Sequence, residues 1–210
     1  MGYVTPLGVI TGLQVEARIA QDIPGALVMC LGPGPIKALQ AAEALADQGA
    51  QALMSFGIAG GLDPALAAGD LVVSPQALGE PLGAKASTVA TVTDPALTPE
   101  DKAALLQSSQ AAAVDMETSA VQDAASARGL PFLCVRAICD EAGDTIPEIA
   151  LKGVSPNGET RPVRVAAGLL TRPQDLGHLM TLGQRQKAAL AALRRAVKAL
   201  AYSRSSEISS

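Results

Sequence analysis

Short apolar runs recur along this chain, each stopped by glycine, proline or an acid, and each followed by a stretch with helical spacing. That alternation restricts the chain to an α/β fold, because strands buried on both faces need helices to cover them. Residues 7–11 are expected as the first strand, closed by Gly12, with a helix over 13–20. Residues 26–31 give a second strand, closed by Gly32-Pro33-Gly34-Pro35, and the helix over 36–48 stops at Gly49. A third strand over 52–56 runs into a glycine turn, Gly57-Ile58-Ala59-Gly60-Gly61. A further strand starts at 69–74, whereas 75–92 carries too many glycines and prolines to assign. Thr98-Pro99-Glu100-Asp101 reads as a capped helix start. A helix over 116–128, a strand over 132–138, mixed loop and helix over 148–171 and helix over 175–204 complete the chain, with a frayed polar tail. No repeat or low-complexity linker divides it, so one domain is expected over residues 1–210, a three-layer α/β/α sandwich on a mixed sheet.

Aromatics are 2% of the 210 residues, so the core must be built from Ala, Val, Leu and Ile. A net charge of −4 gives no general attraction to nucleic acid, and none is expected as a partner. No basic start followed by a long apolar run suggests a signal peptide, and no window reaches a membrane span, so a cytoplasmic chain is expected. Cys30, Cys134 and Cys139 lack metal-ligand spacing, and the single His178 adds too little for zinc. Free thiols, no metal and no organic cofactor are the expectation, with His178 outside every motif.

In open α/β sheets ligands bind beyond the carboxyl ends of the strands. The first strand delivers Gly12 and then Glu16, the third delivers Gly57, Ile58, Ala59 and Gly60, and the strand over 132–138 delivers Asp140. The helix before that strand starts at Asp115, Met116 and Glu117. Each piece alone also has a plain structural reading. A glycine turn can be only a connection, an acid in a first helical turn can serve the dipole, Met116 can be core, and Asp140-Glu141 can be a solvated turn. Arg136 is harder to explain away. It stands inside an apolar strand, where its donors require a carboxylate or phosphate partner.

Taken together, Gly57-Ile58-Ala59-Gly60-Gly61-Leu62, Gly69-Asp70-Leu71-Val72-Val73, Val114-Asp115-Met116-Glu117 and Val135-Arg136-Ala137-Ile138-Cys139-Asp140 resemble the signature of the nucleoside phosphorylase and nucleosidase superfamily. Thr11-Gly12-Leu13-Gln14-Val15-Glu16-Ala17-Arg18 and the segment after Asp140 are most similar to the hopanoid-associated phosphorylase branch. The resemblance implies release of adenine from adenosylhopane, with Asp140 serving the purine N7, Glu117 the ribose hydroxyls and Met116 packing beneath the sugar. It implies that Glu16 orients an attacking water, that Arg136 lies near the ribosyl or phosphate side, and that the chain forms a homodimer or larger assembly.

Bond cleavage builds positive charge on the sugar and negative charge on the leaving base. An acid at N7 and a carboxylate on the hydroxyls answer those two charges. Inorganic phosphate as co-substrate would need donors from Gly34 and a cation such as Arg18, whereas Glu16 favours water; both nucleophiles stay open. The segment between Gly61 and Asp115 is short and supplies no aromatic, so base contact should be aliphatic and the pocket open, which suits a lipid-linked nucleoside. Rival readings are a methylthioadenosine/S-adenosylhomocysteine nucleosidase and a non-catalytic nucleoside-binding module. A dinucleotide site is disfavoured because the glycine spacing is not G-x-G-x-x-G. In the last helix Leu190, Leu193, Val197 and Leu200 share one face, and Lys187, Arg194 and Lys198 another. The basic face is either solvated or a peripheral contact with an anionic inner-membrane surface.

Overall fold

The computed structural model describes residues 6–169 and 172–208. Strands β1 (Leu7–Ile10), β2 (Ala26–Met29), β3 (Ala52–Gly61), β4 (Leu71–Ser74), β5 (Lys85–Ala86), β6 (Val89–Thr91), β7 (Ala113–Asp115) and β8 (Phe132–Asp140) join one sheet. The helices are α1 (Gln14–Ala20), α2 (Pro35–Asp47), α3 (Gly79–Leu82), α4 (Pro99–Ser109), α5 (Thr118–Ala127), α6 (Glu148–Leu151), α7 (Pro162–Leu169) and α8 (Leu176–Ile208). The strand order is β2-β1-β3-β8-β4-β5, with β7 and β6 added along the far end of β3. β2, β1, β3 and β8 are parallel, while β4 runs antiparallel to β8 and β7 antiparallel to β3, with β5 parallel to β4 and β6 parallel to β7. The sheet is therefore mixed.

Two apolar layers sandwich the sheet. On one face α1 and α8 set Ile19, Ala192, Leu193 and Val197 against Val9, Met54, Phe56 and Val135. On the other, Ala38, Ala42 and Leu45 of α2 and Val121 and Ala125 of α5 cover Ile10 and Leu53. Alanine dominates the helix contacts, so helices and sheet approach closely with few aromatics between them. Leu62, Ala111 and Val114 form a smaller cluster with Leu105 and Leu106 of α4, under the β6–β7 end of the sheet.

The expected glycine turn is instead strand. β3 continues to Gly61 and pairs with β8 as far as Gly60 and Asp140. β1 ends at Ile10, opposite Ser55, so the last six residues of β3 run past the neighbour on that side. The glycines there serve close approach, because a Cβ on Gly57 would lie 2.7 Å from both Glu16 and Arg136. The helix expected from residue 116 begins at Thr118, because Ala113–Asp115 are drawn into pairing with β3 and β6. The expected cap on α4 is present: Thr98 Oγ1 accepts from the Asp101 amide and Asp101 accepts from the Thr98 amide, both at 3.2 Å. α8 continues through Ile208 where a frayed tail was expected; the Arg204 side chain lies outside the described residues.

Candidate active site

Arg136 organises the centre of the sheet. It is 1% exposed, and of the two partners expected for it, carboxylate or phosphate, the structure supplies carboxylates. Nη2 pairs with Asp115, reaches Glu117 Oε2 at 3.4 Å and donates to Ser55 Oγ at 2.7 Å. Nη1 donates to the Ile58 carbonyl and Nε to Thr118 Oγ1, both at 3.3 Å. Burial works against its charge, but Asp115 and Glu117 outweigh burial and hold the guanidinium above its ordinary proton affinity.

Asp115 is spent on architecture. Its oxygens accept from the Glu117 and Thr118 amides at the start of α5, from Thr91 Oγ1 at 2.9 Å and from the Thr118 hydroxyl. The bare amides at a helix start require such an acceptor. Thr118 and Ser55, which sequence reasoning did not select, complete the hydroxyl shell around Arg136.

Glu16 is 1% exposed and lies beside that cation, in the space Gly57 leaves open. Its Oε1 accepts from the Ile58 amide at 2.8 Å and its Oε2 from the Leu13 amide at 2.9 Å. Burial outweighs those donors and the Arg136 charge, so its pKa rises from 4.5 to about 7. Glu117 is buried next to it and is also raised, by burial first, against the pull of Arg136. Glu117 Oε1 accepts from the Gly34 amide at 2.9 Å, and Gly12 has no side chain to block that carboxylate: a Cβ there would lie 3.0 Å from Oε1.

Two expectations for a phosphate side are corrected. The Gly34 amide is already bound to Glu117 and is not a free donor. Arg18 is exposed, because the face of α1 that packs inward carries Glu16, Ala17, Ile19 and Ala20. The turn over 155–160 also closes this end. The Gln14 amide donates to the Gly158 carbonyl at 2.9 Å, and Lys37 donates to the Pro156 carbonyl. Gly158 has φ +81°, and a Cβ there would strike the Gly12 carbonyl at 2.5 Å, so only glycine lets the turn seat.

Asp140 sits at the end of β8, beside Gly60 and about 10 Å along β3 from Gly57. It borders an open pocket that Asp115, Met116 and Gly60 also line. The remaining walls are Val92, Pro95, Ala96, Val114 and Ile146, all aliphatic, as the scarcity of aromatics required. The structure therefore brings Glu16, Glu117 and Arg136 into one buried cluster and sets Asp140 in the adjoining open pocket. Ala59 reaches neither: it packs with Leu66, Val72 and Ile138 in the core, and the Ile58 side chain packs on the α1–α8 side.

Lys102 is the residue sequence reasoning missed. It is 1% exposed on α4, with Nζ 2.6 Å from Asp140 Oδ2. It also donates to the carbonyls of Glu141 at 2.6 Å and Asp144 at 3.4 Å. α4 has no amphipathic periodicity, so nothing in its pattern marks one lysine as buried. A second pocket adjoins the first at Asp140 and Ile146, and His178, Thr181 and Arg185 line it. His178, expected outside any site, thus stands at its edge. Cys134 and Cys139 are buried thiols, pushed up by burial to about 11 and about 12.

With this geometry in hand, the chain can be set beside known proteins. The family model described as "Phosphorylase superfamily" matches residues 11–88 and 81–171. No curated protein sequence matches. Solved structures similar to this chain include futalosine hydrolase of Helicobacter pylori, at 14% identity and a TM-score of 0.69, covering 94% of this chain and 97% of that one. The 5′-methylthioadenosine/S-adenosylhomocysteine nucleosidase of Neisseria meningitidis is similar at 15% identity and a TM-score of 0.69, covering 94% and 98%. The S-adenosylhomocysteine nucleosidase of Streptococcus pyogenes is similar at 16% identity and a TM-score of 0.66, covering 95% and 98%. These likenesses show the shared fold over nearly the whole of each chain, and the family match covers well over half of this one. The chain belongs to the phosphorylase superfamily and is an enzyme of the glycosyl-cleaving type.

Proposed function

We propose that this chain cleaves the N-glycosidic bond of an adenine nucleoside, with water as the attacking group. The observation that carries this reading is the buried Glu16 carboxyl, with a pKa of about 7, held against Glu117 and Arg136 one strand segment from Asp140. A carboxyl titrating near neutrality suits a general base for water. Glu117 keeps lone pairs beyond the Gly34 and Arg136 contacts and can accept the ribose hydroxyls. As the C1′–N9 bond breaks, positive charge grows on the sugar beside Glu117, and the electron pair moves to the base beside Asp140. Phosphate in place of water would face two carboxylates, with the Gly34 amide taken and Arg18 turned outward.

The finer substrate is adenosylhopane. It rests on the resemblance of residues 11–18 and of the segment after Asp140, and the open, aliphatic pocket supports it. Inorganic phosphate is not required in this reading. The membrane contact belongs to the same proposal: Lys187, Arg194, Arg195 and Lys198 are exposed on α8, while Leu193, Val197 and Leu200 face the sheet. Among the described residues no helix is long and apolar enough to cross a membrane. A homo-oligomer is part of the proposal too, with Ile36 and Leu39 exposed on α2 as apolar surface for a second copy.

Adenine release tests the reading, measured on adenosylhopane, methylthioadenosine and S-adenosylhomocysteine with and without phosphate. Release that needs no phosphate and is fastest on adenosylhopane is expected. Strict phosphate dependence overturns the water step, and preference for methylthioadenosine overturns the lipid-linked substrate. Salt-sensitive sedimentation with anionic vesicles is expected, and its absence removes the membrane contact. A monomer by light scattering removes the oligomer.

A further inference from the structure

Asp140 meets the base in the proposed reaction, yet it is already engaged. Lys102 Nζ lies 2.6 Å from its Oδ2, an ion pair close enough to share a proton. Two backbone carbonyls, of Glu141 and Asp144, accept hydrogen bonds from the same nitrogen. Both side chains are removed from solvent, Lys102 almost completely. A buried lysine is costly unless its charge is matched, and among the described residues the carboxylate paired with it is the one lining the pocket. The other charged or titratable groups around Asp140 are Arg185 and His178 from α8, Asp115 across the pocket from β7, Cys139 beside it in β8, and Glu141 and Asp144 in its own loop. Arg185 is taken up by Glu141 and Asp144, which leaves Lys102 as the cation assigned to Asp140. Burial raises the Asp140 carboxyl, and Lys102 pulls it back.

We infer that Lys102 is a positioning residue acting through Asp140: its ammonium stores the proton that Asp140 passes to the leaving base. The inference rests on the proposed glycosidic cleavage. As the C1′–N9 bond breaks, its electron pair passes into the base and N7 takes a proton from Asp140. Lys102 Nζ gives its proton to Asp140 Oδ2 in the same event. The lysine is left as a neutral amine and regains a proton from water once the base has gone. A lysine can do this, whereas an arginine in its place keeps the charge but does not release the proton. The arrangement also explains why a buried cation lies beside a group that must act as an acid. Between them the pair carries one proton, out of reach of bulk solvent until it is needed.

The test compares wild type with Lys102→Met and Lys102→Arg by the pH profile of kcat for adenine release, with KM read separately. In wild type kcat should stay flat on the alkaline side of neutrality. In Lys102→Met only the Asp140 carboxyl can hold the proton, so kcat should fall about tenfold per pH unit above that group's own titration, while KM changes less than about threefold. Lys102→Arg should not restore the alkaline plateau. A Lys102→Met profile parallel to wild type, or an alkaline plateau restored by arginine, overturns the inference and leaves Lys102 as structural charge. Titration of the Asp140 carboxyl by carbon NMR reads the pair without turnover. It should move up in Lys102→Met, and an unmoved titration also overturns the inference. If wild type releases no adenine from any nucleoside, the proposed function falls, while the NMR titration still reports separately whether Lys102 governs Asp140.

Discussion

The two ends of the site are built in opposite ways. The end around Glu16, Glu117 and Arg136 is closed, and its polar atoms are held by strands and helix starts. The end around Asp140 is open, and its partners come from a loop and two helices that pack from outside the sheet. The sheet fixes the first end, because β3 outruns β1 and leaves the gap that Glu16 fills. The second end depends on side chains that happen to reach it. In the proposed reaction, charge stabilisation at the sugar would thus be built into the topology, and proton delivery to the base would be carried by replaceable contacts.

The largest effect expected is at the open end. Asp140→Asn keeps the shape but cannot deliver a proton, and adenine release should fall about 10²–10⁴-fold. It also leaves Lys102 without its carboxylate, so adenine binding must be measured alongside to show that the site persists. Equal turnover by wild type and variant would remove the base from this end. At the closed end the large effect should be on folding. Arg136→Met strands Asp115 and Glu117 as buried acids and should cost about 3–5 kcal/mol in denaturant unfolding, since breaking a buried pair leaves uncompensated charge. A loss under about 1 kcal/mol would mean that the cluster does not hold the sheet.

Glu16 supplies a subtler test, by pH. A base must be ionised, so activity should decline about tenfold per unit as pH falls below about 7. Stability should move the other way. The folded state holds this proton to about 7 and the unfolded chain only to about 4.5, so the contribution is full below 4.5 and fades as pH rises through 7. Its size is about 3 kcal/mol, from 1.36 kcal/mol per unit. Glu16→Gln should remove both trends, read by rates and by unfolding across pH. Persistence of the acid limb in that variant would assign it to another group. The smallest effect should come from Gly57→Ala, whose methyl meets Glu16 and Arg136 and should cost about 1–3 kcal/mol by overpacking. A neutral result would show that the closed end has slack.

The same contrast explains what the sequence made legible. Local and pairwise rules worked: the alternation gave the layers, Thr98 gave the α4 cap, and an arginine in an apolar strand announced an anionic partner, carboxylate or phosphate. The extension of β3 through Gly61 escaped because glycines in sequence suggest a turn, whereas here they clear space for side chains from α1 and β8. β7 escaped because its three residues pair only with distant strands. The Gly34 amide looked free because its partner, Glu117, lies 83 positions away. Lys102 was invisible for a related reason: a helix without amphipathic periodicity carries no signal for a lysine that it buries.

A crystal structure with an uncleavable adenine nucleoside bound tests the central claim most directly. The account predicts N7 within hydrogen-bond reach of Asp140, the ribose hydroxyls on Glu117, and Glu16 on the side of C1′ opposite the base. A nucleoside bound away from the Glu16–Glu117 cluster, or with its base turned toward Arg136, would contradict it.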